Sequence, residues 1–315
     1  MYSRKAVVVK AEIVSNNSND FYKLISRFIT YLDVSNSSVH TYSYGVKYFL
    51  EFISKNNIRK PSHETVLMYK KEMISRNLKP STIALYLSSI RRFFSWCEAE
   101  GLYENITAGV KSPKMDNTMH KKDAFSAEQL KDILQGMNRN SLEEKRNFAI
   151  FALVAGCGLR TIEVIRADIG DIRTVQGVPV LYIQGKGKVS KSEFVQLSKP
   201  VFDAIKEYLA MRGKFVETEP LFTSCSKRNR NGRLTTRTIS SVLKKSMVRA
   251  GYNSKRLTAH SLRHSAVTLA LMAGLSLEEV QAFARHRSVT TTLIYSHHIS
   301  RLQSKCESAI ASAIF

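Results

Sequence analysis

The sequence predicts a mainly α-helical protein with one small antiparallel β-sheet, arranged as a four-helix N-terminal domain and a larger second domain. Apolar residues recur at spacings of three and four over most of the 315 residues, as they do on one face of a helix. Residues 178–197 instead alternate with the period of a strand on either side of a glycine-containing turn. A polar, basic interval at residues 115–122 divides the chain.

Four helices are expected in the N-terminal domain. The first begins near Phe21, and Asn36-Ser37-Ser38 supplies capping residues for the second. A Pro-Ser pair at Pro61 opens the third, and Pro80 opens the fourth, which Gly101 closes. Each helix carries an apolar stripe, so the four can pack as a compact bundle.

The second domain mixes helices with a hairpin. Ser126 and Gln129 form a capping pair at a helix start, and a long apolar helix ends at residues 156–158, where glycine permits a sharp turn. Two strands flank a Gly-Lys-Gly-Lys turn at residues 185–188, and helices resume at Lys199. This hairpin is the small sheet inside a mostly helical domain.

Net charge is the property that departs most from the average. The chain has 48 Lys and Arg against 26 Asp and Glu, a formal charge of +22, which is typical of nucleic-acid-binding proteins. A membrane-surface protein can be equally basic, but the sequence has no lone basic amphipathic helix. It also has no apolar run of about 18 residues and no signal peptide, so we expect a cytoplasmic protein.

Metal and disulfide chemistry are not indicated. The four cysteines are far apart, without Cys-x-x-Cys spacing or a nearby histidine cluster. No carboxylate cluster has metal-ligand spacing either. We therefore expect no disulfide, no metal and no cofactor.

Basic residues are densest from Arg212 to Arg263, where thirteen Lys and Arg accompany two Glu. We expect DNA phosphates to be bound by cations of this segment, of the fourth helix, of residues 105–122 and of the hairpin turn. These cations are Arg91, Arg92, Lys111, Lys114, Lys121, Lys122, Lys188, Lys227, Arg228, Arg230, Arg233 and Arg237.

The motif His260-x-x-Arg263 carries the most specific chemistry. A spacing of three puts an imidazole and a guanidinium on one helical face, where both can donate to phosphate oxygens. Alone, such a pair is more often part of a solvated helix face. It belongs, however, to an ordered set: Arg160, Lys186, His260, Arg263, His286 and Tyr295, the last nine residues after His286.

This set resembles the tyrosine recombinase (phage integrase) family, in its Xer-like or mobile-element form. The resemblance covers residues from about Phe125 to Tyr295 by motif and the N-terminal domain by architecture. One departure is Arg285, which stands where the family usually has glycine. The resemblance implies these segments: a flexible arm at 1–19, a core-type DNA-binding domain at 20–114, a linker at 115–122, a catalytic domain at 123–298 and a tail helix at 299–315.

The resemblance implies that Arg160 and Arg263 hold non-bridging oxygens of the scissile phosphate, while Tyr295 attacks phosphorus and becomes a 3′-phosphotyrosine. The physical chemistry agrees, because phosphoryl transfer gathers negative charge on oxygens that planar guanidinium groups stabilise. Tyrosine is a weak nucleophile at its usual pKa of about 10, and nearby cations should make its phenolate less costly.

The remaining roles are also implied by the resemblance. His260 and His286 complete the phosphate-binding ring, and His260 assists proton transfer with the nucleophile. Lys186 delivers a proton to the leaving 5′ oxygen. Lys188 and Lys191 lie in the same hairpin region, so whether Lys186 or Lys188 is the catalytic lysine stays open. We interpret Glu163 as a structural residue that orients Arg160, and Asp171 and His264 as structural.

The implied partners are double-stranded DNA and other copies of the chain. The resemblance implies a homo-tetramer on paired DNA sites, formed from monomers or dimers, and it leaves room for host accessory factors. The apolar stripe of the tail packs either on its own domain or on a neighbouring protomer. Two other functions stay open: a type IB topoisomerase, which shares these residue types, and a DNA-binding regulator without catalysis.

Overall fold

The computed structural model describes residues 18–114, 123–185, 188 and 190–315. These residues form two compact units that divide between 114 and 123. The predicted linker at 115–122 and most of the predicted arm lie outside the described residues. The mainly α-helical fold with one small antiparallel sheet is confirmed.

The described part of the N-terminal unit contains four helices, which begin close to the predicted positions. They are α1 (Ser18–Tyr31), α2 (Asn36–Lys55), α3 (His63–Ser75) and α4 (Pro80–Ala99). The start of α2 differs slightly from the prediction, because Ser35 is its capping residue and Asn36 already lies in its first turn. Gly101 follows α4 with a φ of +65°, a left-handed conformation that glycine adopts without strain.

Aromatic side chains fill the centre of this unit. Phe28, Phe49, Phe93 and Phe94 are fully buried, and the rings of Phe28 and Phe93 meet edge to face with centroids 5.3 Å apart. Helices α2 and α4 approach closely at Gly45, where an added Cβ would overlap a side chain of α4. The unit therefore has its own hydrophobic core.

The second unit has nine helices of at least six residues and a three-stranded sheet in the ranges described. Its helices are α5 (Ala127–Gln135), α6 (Leu142–Cys157), α7 (Thr161–Arg166), α8 (Lys199–Arg212), α9 (Thr236–Arg249), α10 (Ala259–Met272), α11 (Leu277–Ala284), α12 (Val289–Gln303) and α13 (Cys306–Ile314). Its strands are β1 (Ile172–Val175), β2 (Val178–Ile183) and β3 (Glu193–Gln196).

Helix α6 lies at the centre of this unit. It is apolar on nearly all sides and packs against α8, α9 and α10. It ends as predicted at Gly158, whose φ of +58° reverses the chain direction. The capping pair before α5 is also confirmed, since the Ser126 side chain accepts from the backbone N–H of Gln129 and the Gln129 side chain accepts from that of Ser126.

The sheet contains one strand more than the predicted hairpin. Strand β2 pairs antiparallel with both β1 and β3, and Leu181 lies opposite Ile172 on one side and Val195 on the other. Strand β1 was not expected because it is only four residues long and two of them, Arg173 and Thr174, are exposed.

The C-terminal helices divide later along the chain than predicted. The helix that carries Tyr295 runs to Gln303, so the separate tail helix begins at Cys306, later than residue 299. In the part of the chain that is described, no helix is long and apolar enough to cross a membrane.

Candidate active site

The turn between α6 and α7 places the first predicted arginine. Arg160 caps α7, and its backbone N–H and its Nη1 each donate to the carboxylate of Glu163, both at 2.8 Å. Glu163 is fully buried. The interpretation of Glu163 as the residue that orients Arg160 agrees with this geometry.

Arg263 comes from the second turn of α10 and is only 2% exposed. Its Nη1 donates to the carbonyl of Gly158 at 2.6 Å, and its Nη2 donates to the carbonyl of Ala284. Burial, followed by the positive charges of Arg160 and Arg285, lowers the pKa of Arg263 to about 9. The structure thus brings the guanidinium groups of Arg160 and Arg263 together from positions about a hundred residues apart.

Tyr295 lies on α12 beside the same arginines. Its side chain is 4% exposed and packs in a small cluster with Val267, Val280 and Ala284, separate from the main core. Burial raises the pKa of Tyr295 to about 12, although the charges of Arg263 and Arg160 act to lower it. The expected easing of phenolate formation by cations is therefore present but is outweighed by desolvation.

Three histidines surround the tyrosine. The ring of His264 lies 5.1 Å from that of Tyr295, and the ring of His260 lies 4.5 Å from that of His264. His286 stacks on Tyr295 with ring centroids 6.1 Å apart. The His286 Nδ1 and the buried Thr292 hydroxyl form a hydrogen bond of 3.0 Å, a contact that the sequence did not predict.

A cleft of about 640 Å³ opens beside these residues. Its lining includes Arg160, His260 and Arg263 together with Lys244 and Lys255, two cations that the sequence did not single out. The Lys244 Nζ donates to backbone carbonyls at 254 and 257, so it also holds the loop before α10. The cleft therefore has a wall of positive charge suited to a phosphate.

The candidate lysines differ in position. Lys186 lies outside the described residues, and Lys188 is exposed. The Lys191 Nζ donates to Asp168 at 2.6 Å and to Asp171 at 2.5 Å. Lys191 thus holds the base of the hairpin, and the choice between Lys186 and Lys188 remains a prediction.

The predicted DNA-binding cations fall into two groups. Arg91 donates to the carbonyl of Val110 at 2.6 Å, and Arg233 pairs with Asp168 at 2.5 Å, so both guanidinium groups already serve their own unit. Lys121 and Lys122 lie outside the described residues. The other eight are Arg92, Lys111, Lys114, Lys188, Lys227, Arg228, Arg230 and Arg237. All eight are exposed, as Arg233 is, and the DNA contacts of the whole set stay predictions.

We expect Glu163→Gln to destabilise the fold by about 3–5 kcal/mol, because it leaves buried guanidinium groups without their counter-charge. Burial by itself would raise the pKa of Glu163, but Arg285 and Arg160 hold it below its ordinary value. Its contribution is therefore present above the unfolded pKa and lost as the pH falls through the lower folded value. Chemical denaturation at pH 7 and at lower pH measures both.

A matched control is Glu279→Gln. Glu279 occupies the same capping position in α11, where it accepts from the Ser276 N–H at 2.8 Å, but it is exposed. Because solvent screens this exposed carboxylate, its loss should change stability far less than the loss of the buried one. Equal effects of the two substitutions would show that the buried ion pairs contribute nothing.

Comparison with known proteins agrees with this geometry. Residues 124–301 match the model of the phage integrase family, and residues 25–101 match its N-terminal SAM-like domain. The tyrosine recombinase XerC of Haemophilus influenzae (strain PittEE) is 33% identical over 229 residues, which is 72% of this chain and 73% of that protein.

Solved structures share the fold. The XerH site-specific recombinase in a post-cleavage complex with palindromic difH DNA has a TM-score of 0.72 at 20% identity, over 93% of this chain and 85% of that one. A lambda integrase tetramer bound to a Holliday junction has a TM-score of 0.64 at 17% identity, over 87% and 76%. The extent of the family match and the identity to XerC lead to one conclusion: the chain belongs to the phage integrase family of tyrosine recombinases.

Proposed function

We propose that this protein cleaves and rejoins double-stranded DNA at specific sites by forming a 3′-phosphotyrosyl bond through Tyr295. The observation that carries the proposal is the position of Tyr295 beside Arg160 and Arg263 of its own unit, near enough for both charges to act on the phenol. Among the proteins that this chain resembles, XerC is named a tyrosine recombinase and XerH a site-specific recombinase.

The arginines would stabilise charge on the scissile phosphate. The side chains of Arg160 and Arg263 each donate one or two N–H groups to protein acceptors. Because a guanidinium group has five N–H donors, others remain for the non-bridging oxygens. Arg263 is almost fully buried but lines the cleft, so the phosphate would reach it by entering the cleft.

The tyrosine needs a base. At a pKa of about 12, only about one phenol in 10⁵ is ionised at pH 7, so the proton must leave as the bond to phosphorus forms. The ring of His264 is closer to Tyr295 than that of His286, and His260 contacts His264. His260 therefore lies one ring away from Tyr295, a position that suits the proposed help of His260 in proton transfer.

The chemistry is a balanced exchange of esters. The Tyr295 oxygen bonds to phosphorus as the bond to the 5′ oxygen breaks, and Lys186 donates the proton that this oxygen needs. His286 binds the phosphate. Attack by a 5′ hydroxyl then reverses the steps and restores the phosphodiester, so the bond energy is kept and no ATP is required.

The assembly would be a homo-tetramer on two paired DNA sites. Helix α13 is exposed along its whole length, including the large apolar residues Ile310, Ile314 and Phe315. An apolar helix that is exposed in one subunit can dock on the next one in a ring. The related lambda integrase structure on a Holliday junction is a tetramer.

The proposed function is tested by covalent capture. Nicked duplexes with randomised centres are incubated with the protein and denatured, and protein-bound strands are sequenced. Recovery of one sequence, joined through its 3′ phosphate, supports the proposal, and two copies on a plasmid should then recombine. Relaxation of plasmids without recombinants would favour a topoisomerase, and binding without adducts would favour a regulator.

Removal of residues 306–315 should abolish strand exchange between two captured sites and leave DNA binding unchanged, because α13 is the docking helix and α12 stays whole. Gel analysis of recombinant products and of complexes measures both. The double substitution Ile310→Ser and Ile314→Ser is the control without truncation. Exchange at the wild-type rate by the shortened chain would contradict a role for α13 in assembly.

A further inference from the structure

Arg285 occupies an unusual position in this active site. It ends α11 directly before His286, with a φ of +54°, in the left-handed region where glycine is the favoured residue. Its side chain is nevertheless only 6% exposed. A third guanidinium is therefore buried next to Arg160 and Arg263.

The contacts of Arg285 reach both of those arginines through shared acceptors. Its Nη2 donates to Glu163 Oε2 at 3.0 Å, and Glu163 also accepts from Arg160. The same Nη2 lies 3.2 Å from the carbonyl of Gly158, which also accepts from Arg263 at 2.6 Å. Arg285 is thus one acceptor away from each of the two guanidinium groups.

This arrangement has local costs. A non-glycine residue in the left-handed region of φ is strained. Among the residues described, the buried Nε of Arg285 has no hydrogen-bond partner, and leaving a buried donor unpaired is also unfavourable. Stored strain of this kind is typical of functional sites, where the surrounding contacts hold a residue in place.

The charges around Glu163 explain what Arg285 contributes. Arg160 at the start of α7 and Arg285 after α11 both contact the carboxylate. Arg263 of α10 and Tyr295 of α12 lie beyond them, and the Cys157 thiol of α6 faces Arg285. Burial favours protonation of Glu163, and the charge of Arg285 is the largest influence that opposes it.

We propose that Arg285 is a positioning residue, which aligns Arg160 through Glu163 and Arg263 through the Gly158 carbonyl to stabilise the charge that develops on the scissile phosphate. The inference rests on the proposed function and extends it to a residue that need not touch DNA. Without Arg285, Glu163 would lose a charged partner and take up a proton more readily, and a neutral carboxyl would hold Arg160 less firmly.

The test compares Arg285→Gln, which removes the charge, with Arg285→Lys, which keeps it. Each variant is mixed with a nicked duplex of the sequence found by covalent capture. The rate of adduct formation at saturating DNA is measured over a range of pH, and the Kd for the duplex is measured separately. We expect Arg285→Gln to be about 10- to 100-fold slower with an unchanged Kd, because misplacement of a catalytic group has effects of this size. As the pH is lowered, the rate of Arg285→Gln should also begin to fall at a higher pH than the wild-type rate does.

Arg285→Lys should lie between Arg285→Gln and the wild type and keep the wild-type acid limb. A wild-type rate for Arg285→Gln, or equal losses and equal acid limbs for the two variants, would overturn the inference. If Arg285→Gln unfolds below the assay temperature, Arg285→Lys provides the test. This variant lacks the guanidinium group, so a wild-type rate for it would also overturn the inference.

Failure of the proposed function gives a different pattern. In that case the wild type forms no adduct with any duplex, like Tyr295→Phe, and both proposals fall. If the wild type forms adducts and substitution of Arg285 does not change the rate, only the further inference falls.

Discussion

Tyr295→Phe is expected to abolish covalent adduct formation with captured DNA while leaving its affinity for that DNA unchanged. The substitution removes one oxygen from a side chain that is 4% exposed and packed against Val267, Val280 and Ala284, so the ring should keep its place. Without the phenolic oxygen no ester with phosphorus can form. Denaturing gels measure the adduct, and gel shifts measure the affinity.

Tyr182→Phe is the matched control. Tyr182 lies in β2 of the same unit, where its ring contacts Phe194 and Arg173. It should form adducts at the wild-type rate. Adducts of Tyr295→Phe at that rate would identify another nucleophile and remove the basis of the proposed function.

Lys186→Ala should lose about a thousandfold in cleavage of an ordinary phosphodiester, the size of effect that general acids commonly contribute. A substrate with sulfur in place of the leaving 5′ oxygen should restore most of the rate. A thiol, with a pKa near 8.5, leaves as its anion without needing a proton, whereas an alkoxide does not. The two rates on matched nicked duplexes measure the contribution of the proton.

The same pair of substrates distinguishes the neighbouring lysines. Lys188→Ala should cleave both at nearly the wild-type rate, whereas a large loss that sulfur repairs would assign the proton to Lys188 instead. Lys191 is no candidate on geometry, because Asp168 and Asp171 hold its ammonium group. If Lys186→Ala remains slow on the substrate with sulfur at the leaving position, the role of Lys186 as the general acid is contradicted.

Much of the fold could be predicted because local patterns determine it. The four helices of the first unit, the capping pair at Ser126 and the end of α6 at Gly158 follow from apolar spacing and from capping preferences. Strand β1 could not be predicted, since four half-exposed residues carry too little pattern and pair only because β2 is already in place.

The candidate site divides in the same way. The order of Arg160, His260, Arg263, His286 and Tyr295 along the chain identified the family, and the structure places the side chains in one unit. The lowering influence of the cations on the pKa of Tyr295 was predicted, but the net rise was not, because it depends on how completely the ring is buried.

By itself the amino-acid sequence determined which chemical groups the site contains, which helices carry them and that the chain is strongly basic. Only the tertiary structure decided that Arg285 turns inward onto Glu163, that Lys191 is held by two aspartates and that Tyr295 is desolvated. The physical reason is range. Helix periodicity and capping act between residues a few positions apart, whereas a buried ion pair or a desolvated phenol depends on segments that meet only when the chain has folded.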